Sequence, residues 1–134
     1  MVESNMINKR EAIIFLIEEC YRKSPELMEE IPKEEMYKTL MSNISVIEAG
    51  RKSQDANGLY SCELKTISIL NKGKMDLEDI KKDQGTTETL AHEGVHALFR
   101  KSKTKTRNRF LFKKNKYKMF YEIKKSKVNL QQQF

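Results

Sequence analysis

The only two histidines of the chain, His92 and His96, lie four residues apart in a segment with helical apolar spacing. Residues 89–98 read TLAHEGVHAL, and this pattern predicts an amphipathic helix that runs from about residue 85 to residue 100. Side chains at i and i+4 of a helix share one face, one turn apart, so both imidazoles can reach a single metal ion. We expect this helix to pack on the rest of the fold through its apolar side.

Glu93 follows His92 directly and lies about 100° further round the same helix. Two neutral imidazole nitrogens can hold Zn²⁺, which lowers the pKa of a bound water, and a carboxylate at this position can take the proton of that water. The spacing therefore predicts His92 and His96 as zinc ligands and Glu93 as the general base of peptide hydrolysis. The alternative is a surface helix with two solvated histidines.

Gly94 stands inside the predicted helix, where glycine costs about 1 kcal/mol relative to alanine. We expect a reason for it, such as the close packing of a strand or a substrate against the helix.

Residues 89–98 resemble the active-site helix of the zincin metallopeptidases. Upstream, residues 58–60 (GLY) and 66–69 (TISI) resemble the two strands that precede this helix in minimal gluzincins, which include phage-encoded proteases that cleave repressors. The resemblance covers roughly residues 44–100. It implies a strand ending near Leu70 beside the helix, and an edge strand that can pair with an extended peptide.

A catalytic zinc site normally has three protein ligands and a water. The metzincin pattern would place Gly at 99 and His at 102, but Phe99 and Ser102 stand there and exclude that subfamily. Gluzincins use a Glu on a later helix, and Glu122 is the only acid after the motif. Glu122 is therefore the candidate third metal ligand, with Tyr121 beside it as a candidate oxyanion donor.

Three alternatives to this ligand set stay open. Glu122 can be an ordinary surface residue, with Lys118, Lys124 and Lys125 around it. The chain can be a truncated relative that lacks the ligand. An upstream acid such as Glu63 or Asp55 can substitute for it.

The net charge of +7 is unevenly distributed along the chain. Residues 1–100 hold 14 Lys and Arg against 18 Asp and Glu, whereas residues 101–134 hold 12 against one. We therefore divide the chain into a zincin-like core at 1–103 and a basic C-terminal segment at 104–134.

The basic segment would suit phosphate contacts, with aromatic residues for base stacking. It contains no nucleic-acid-binding motif, and a solvated extension is the favoured interpretation. The second functional hypothesis is a catalytically inactive zincin-like domain that binds protein or nucleic acid through this segment.

The predicted fold class is α+β, with N-terminal helices, a small mostly antiparallel sheet and the motif helix packed on it. The predicted helices cover residues 8–22 and 33–42 and a short helix capped by Asp76. The predicted strands cover residues 44–47, 58–61 and 66–70.

Cys20 and Cys62 are expected to be reduced, partly buried thiols. The N-terminus lacks the pattern of a signal peptide and no apolar run is long enough to cross a bilayer, so we expect a cytoplasmic protein of unknown oligomeric state.

Overall fold

The computed structural model describes residues 4–26, 31–50, 56–70 and 72–100. The basic segment at 104–134, with Glu122 and Tyr121, lies outside these ranges. Within them the fold is α+β, as the sequence predicts. Its elements are β1 (Ser4–Ile7), α1 (Lys9–Lys23), α2 (Lys33–Asn43), β2 (Val46–Gly50), β3 (Gly58–Ser61), β4 (Thr66–Ile69), α3 (Leu77–Lys82) and α4 (Gln84–Leu98).

The four strands form one mixed sheet in the order β1-β2-β4-β3. β1 pairs with β2 and β3 pairs with β4 in antiparallel fashion, whereas β2 and β4 run parallel. Two of the three pairings thus agree with a mostly antiparallel sheet. The edge strand nearest the motif helix is β3, while β4, the strand that ends near Leu70, lies inside the sheet and also contacts that helix.

The helices begin where the sequence offers a cap. Asn8 Oδ1 accepts the backbone N–H of Glu11 at 3.0 Å at the start of α1. Asp76 and Asp79 form a reciprocal capping box at the start of α3, with hydrogen bonds of 2.8 and 3.1 Å. These two helices, and α2 directly after Pro32, confirm the predicted elements to within a residue or two.

Two strands differ from the prediction. No element was expected before residue 8, but Ser4–Ile7 forms β1 by pairing with β2, a partner about forty residues away that a local pattern does not reveal. β2 begins at Val46 rather than at Ile44, because Ile44 is the C-cap of α2 and donates its backbone N–H to the carbonyl of Leu40. The β-branched run is therefore shared between the end of a helix and the start of a strand.

The core lies between one face of the sheet and the helices. Ile47, Ile67 and Ile69 are at most 2% exposed and point to the helical side, which α1 and α4 cover. The opposite face carries a row of paired residues across the sheet, Met6, Glu48, Ser68 and Leu59, of which Met6 and Leu59 are exposed. Helix α4 packs against the core through its buried side, which fixes its position on the sheet.

A buried ion pair joins the end of α1 to the first half of α4. Lys23 Nζ lies 3.3 Å from Glu88 Oε1, and the two side chains are 2% and 4% exposed. Gln84 also donates to Glu88 Oε1, at 3.2 Å. The pair holds α4 in its orientation along α1, because each buried charge has lost its hydration and is stabilised by the opposite charge.

The two cysteines differ in environment. Cys20 is buried in the core, as expected, and burial raises the pKa of its thiol to about 12. Cys62 is exposed, so the expectation of partial burial is wrong there: it lies in the turn between β3 and β4. Among the helices in the described part of the chain, none is long and apolar enough to cross a lipid bilayer.

Candidate metal and hydrolytic site

His92 and His96 lie on adjacent turns of α4 and are both partly exposed. Their ring centroids are 5.0 Å apart and their planes meet at 77°. Two imidazoles that bind one tetrahedral zinc ion, each at about 2.1 Å, place their centroids roughly 5 Å apart. The spacing of the two rings therefore fits a shared metal ion without rearrangement of the helix.

Glu93 lies on a different side of α4 and is only 8% exposed. Burial raises the pKa of this carboxyl group from 4.5 to about 7, and a hydrogen bond from the backbone N–H of Tyr60 opposes the shift. A carboxylate with a pKa near neutrality both takes up and releases a proton at physiological pH, which is what a general base or acid requires. The sequence does not reveal this burial of Glu93.

Strand β3 comes unusually close to α4 at Gly58. A Cβ atom at this position would lie 2.5 Å from Thr89 Cγ2, 3.2 Å from Glu93 Cγ and 3.3 Å from the carbonyl oxygen of Ser68. The backbone of Gly58 does not have a positive φ, so the requirement is for space and not for a special conformation. Glycine thus lets the edge strand lie directly against the turn of α4 that carries Glu93.

We expect Gly58→Ala to destabilise the protein by about 1–3 kcal/mol, since the added methyl group must push β3 away from α4. Adding Thr89→Ser should recover part of the loss: it removes the nearest methyl group and keeps the hydroxyl that donates to the Gly85 carbonyl at 2.9 Å. Urea unfolding of the single and double variants measures both effects. Gly73→Ala, with nothing within 4 Å of the added Cβ, is the matched control. A Gly58→Ala variant as stable as this control would contradict the close contact.

The backbone groups of β3 point alternately towards β4 and towards the open edge of the sheet, the side that no other described strand covers. Leu70 N–H donates to the carbonyl of Asn57 at 2.8 Å, so Asn57, and with it Leu59 and Ser61, direct their backbone groups towards β4. Gly58 and Tyr60 consequently direct theirs towards the open edge. Glu93 packs against this strand, since a Cβ atom at Gly58 would lie 3.2 Å from Glu93 Cγ, and the backbone N–H of Tyr60 lowers the pKa of its carboxyl group.

The close packing expected at Gly94 is present, but its partner is neither a strand nor a substrate. A Cβ atom there would lie 2.8 Å from Leu16 Cδ1 on α1. Leu16 is 1% exposed and has little room to move. Gly94 therefore allows α1 and α4 to approach each other behind the histidines.

The remaining predicted site residues are not brought to the histidines by the described structure. Glu63 lies exposed in the turn that follows β3. Asp55 and Glu122 fall outside the described residues, so their roles stay predictions. Within residues 4–26, 31–50, 56–70 and 72–100, no group of three or more His, Cys, Asp or Glu side chains is arranged to hold a metal ion.

Sequence reasoning missed the contribution of Asn43, which nothing in the local pattern indicates. Its Nδ2 donates to the carbonyl of Ala97 at 2.9 Å, and its own carbonyl accepts the hydroxyl of Tyr60 at 2.6 Å. The last carbonyls of a helix lack partners within that helix, so Asn43 supplies one to the C-terminal turn of α4.

Comparisons of the chain with protein-family models, curated proteins and solved structures gave no match.

Proposed function

We propose that this protein is a zincin-type metallopeptidase that hydrolyses peptide bonds with Zn²⁺. His92 and His96 act as metal ligands, Glu93 as the general base and Glu122 as the third ligand. One observation carries the proposal. Helix α4 presents two partly exposed histidines, whose ring centroids are 5.0 Å apart, together with a buried carboxyl group whose pKa is raised to about 7.

The donor set suits zinc. Imidazole nitrogens and a carboxylate oxygen are ligands that Zn²⁺ takes in catalytic sites, where three protein ligands leave one position open. Partial exposure of His92 and His96 gives an ion access to the rings. Helix α4, held by the core and by the Lys23–Glu88 pair, fixes the spacing of the two imidazoles.

Zinc, when bound, supplies the Lewis acidity that makes a water molecule acidic enough to react at neutral pH. In such a site, Glu93 would take a proton from the attacking water on a carboxylate oxygen while the water oxygen bonds to the scissile carbonyl carbon. It would then give that proton to the leaving amine nitrogen as the carbon–nitrogen bond breaks. The carboxylate is regenerated, so the carboxyl group returns to its starting state after each turnover.

The substrate is proposed to be an extended peptide that lies along the open edge of β3. Gly58 and Tyr60 direct backbone groups to that edge, and main-chain pairing binds a strand without demanding particular side chains. Glu93 lies against the same strand, since a Cβ atom at Gly58 would be 3.2 Å from Glu93 Cγ. A peptide paired with β3 would therefore run past the proposed base.

We expect His92→Ala and His96→Ala each to abolish retention of zinc by the protein, because the remaining imidazole and the proposed Glu122 carboxylate give the ion only two protein ligands, one fewer than a catalytic zinc site normally has. Metal content after dialysis is measured by elemental analysis on the full chain. Cys62→Ser is the matched control, since it removes an exposed thiol that could bind zinc and leaves the histidines intact. Equal zinc in all four proteins would contradict the site and favour the second hypothesis, a catalytically inactive domain that binds a partner through its basic segment.

A further inference from the structure

We infer that Asn43 and Tyr60 form a clamp that positions Glu93 for hydrolysis, an inference that rests on the proposed function. The clamp joins three elements: α2, which ends at Asn43, strand β3, which carries Tyr60, and the last turn of α4, which carries Ala97. Its two hydrogen bonds are the Tyr60 hydroxyl to the Asn43 carbonyl, at 2.6 Å, and Asn43 Nδ2 to the Ala97 carbonyl, at 2.9 Å.

The clamp acts on the strand that contacts the base. Among the described strands, β3 has four residues and pairs with β4 alone, so the sheet holds it weakly. Tyr60 carries the hydroxyl of the clamp, and Gly58, two residues earlier on the same strand, packs against the base: a Cβ atom at Gly58 would lie 3.2 Å from Glu93 Cγ. Displacement of Tyr60 therefore moves the strand against which Glu93 packs.

The clamp is formed by a buried side chain. Tyr60 is 8% exposed, and burial raises the pKa of its hydroxyl group, which thus stays protonated and remains a donor. Ala97 follows His96 directly, so the Asn43 amide also fixes the helical turn that carries one of the proposed ligands. Gly58 at one end of β3 and the clamp near the other end set the distance from the edge strand to α4.

Tyr60→Phe tests the clamp, because it removes one hydroxyl group and leaves the backbone N–H in place. Tyr21→Phe is the matched control: Tyr21 is similarly buried and donates its hydroxyl to the carbonyl of Ile31, a contact outside the clamp. Asn43→Ala is a second variant, which removes the side-chain donor and keeps the carbonyl that accepts from Tyr60. Urea unfolding of each variant measures the general loss of stability.

Peptide turnover by the zinc-loaded full chain gives the first readout. We expect Tyr60→Phe and Asn43→Ala to lower kcat by about tenfold, the lower end of the range for residues that orient metal ligands, with KM within about twofold of wild type. Tyr21→Phe should leave both constants unchanged even if it costs similar stability. Equal kcat values for Tyr60→Phe and Tyr21→Phe would overturn the inference.

Amide hydrogen exchange in the metal-free protein gives a second readout that needs no activity. We expect the amides at positions 59 and 61, which point towards β4, to exchange at least about tenfold faster in Tyr60→Phe than in Tyr21→Phe, since local opening of β3 exposes them. If the wild type hydrolyses no peptide, the proposed function fails, and the exchange rates alone then decide the clamp. Equal exchange at positions 59 and 61 in the two variants would overturn it.

Discussion

Replacement of Glu93 by Gln is expected to lower peptide hydrolysis by about a hundredfold or more while zinc remains bound. Gln has almost the same shape as Glu and fills the same space beside Gly58, but its amide cannot take the proton of the attacking water. The two proposed ligands, His92 and His96, are untouched. The measurements are kcat/KM on a cleavable peptide and zinc content of the same sample.

Glu63→Gln is the matched control for this substitution, because it neutralises an exposed carboxylate in the turn after β3. It should leave turnover within about twofold of wild type, as expected for a surface charge away from the reacting atoms. A Glu93→Gln variant as active as Glu63→Gln would remove Glu93 from the mechanism. A variant that also loses zinc would instead indicate that the carboxylate supports the metal site.

Lys23→Met is expected to lower the free energy of unfolding by about 3–5 kcal/mol, the usual cost of leaving one buried charge without its partner. The Glu88 side chain is 4% exposed and, among its contacts with the described residues, would keep the hydrogen bond from Gln84. Urea or thermal unfolding measures the loss. The double variant Lys23→Met/Glu88→Met should recover most of it, since two apolar side chains of similar length can fill the same space without either charge.

The matched control for the ion pair is Glu78→Gln, which breaks an exposed pair with Lys81 whose side chains are 71% and 40% exposed. A pair of this kind contributes about 1 kcal/mol or less, because water screens it. If Lys23→Met costs no more than Glu78→Gln, the Lys23–Glu88 pair does not hold α1 and α4 together.

The sequence predicts the elements whose signals are local. The i, i+4 spacing of His92 and His96 and the apolar positions around them identify α4, and the caps at Asn8 and Asp76 place the starts of α1 and α3. Each of these signals acts within one turn of helix, so no distant partner is needed to recognise it.

The features that the sequence does not reveal depend on contacts between distant residues. Lys23 and Glu88 are 65 positions apart, and neither residue differs in its local pattern from a surface charge. β1 exists because β2 pairs with it, and the burial of Glu93 arises because Gly58 lets β3 lie on α4. The roles of Asn43 and Tyr60 likewise emerge only when the ends of α2, β3 and α4 meet.

X-ray absorption at the zinc edge, on the full chain loaded with one equivalent of Zn²⁺, tests the central claim most directly. The expected spectrum contains the outer-shell scattering of two imidazoles, nitrogen and oxygen neighbours at about 2.0–2.2 Å, and no sulfur neighbour at about 2.3 Å. Glu122→Ala should leave the imidazole signal and weaken zinc affinity by at least about tenfold, since even partners outside the ligand set contribute that much. A spectrum without imidazole scattering, or with a sulfur ligand from Cys62, would contradict a zinc centre built on His92 and His96.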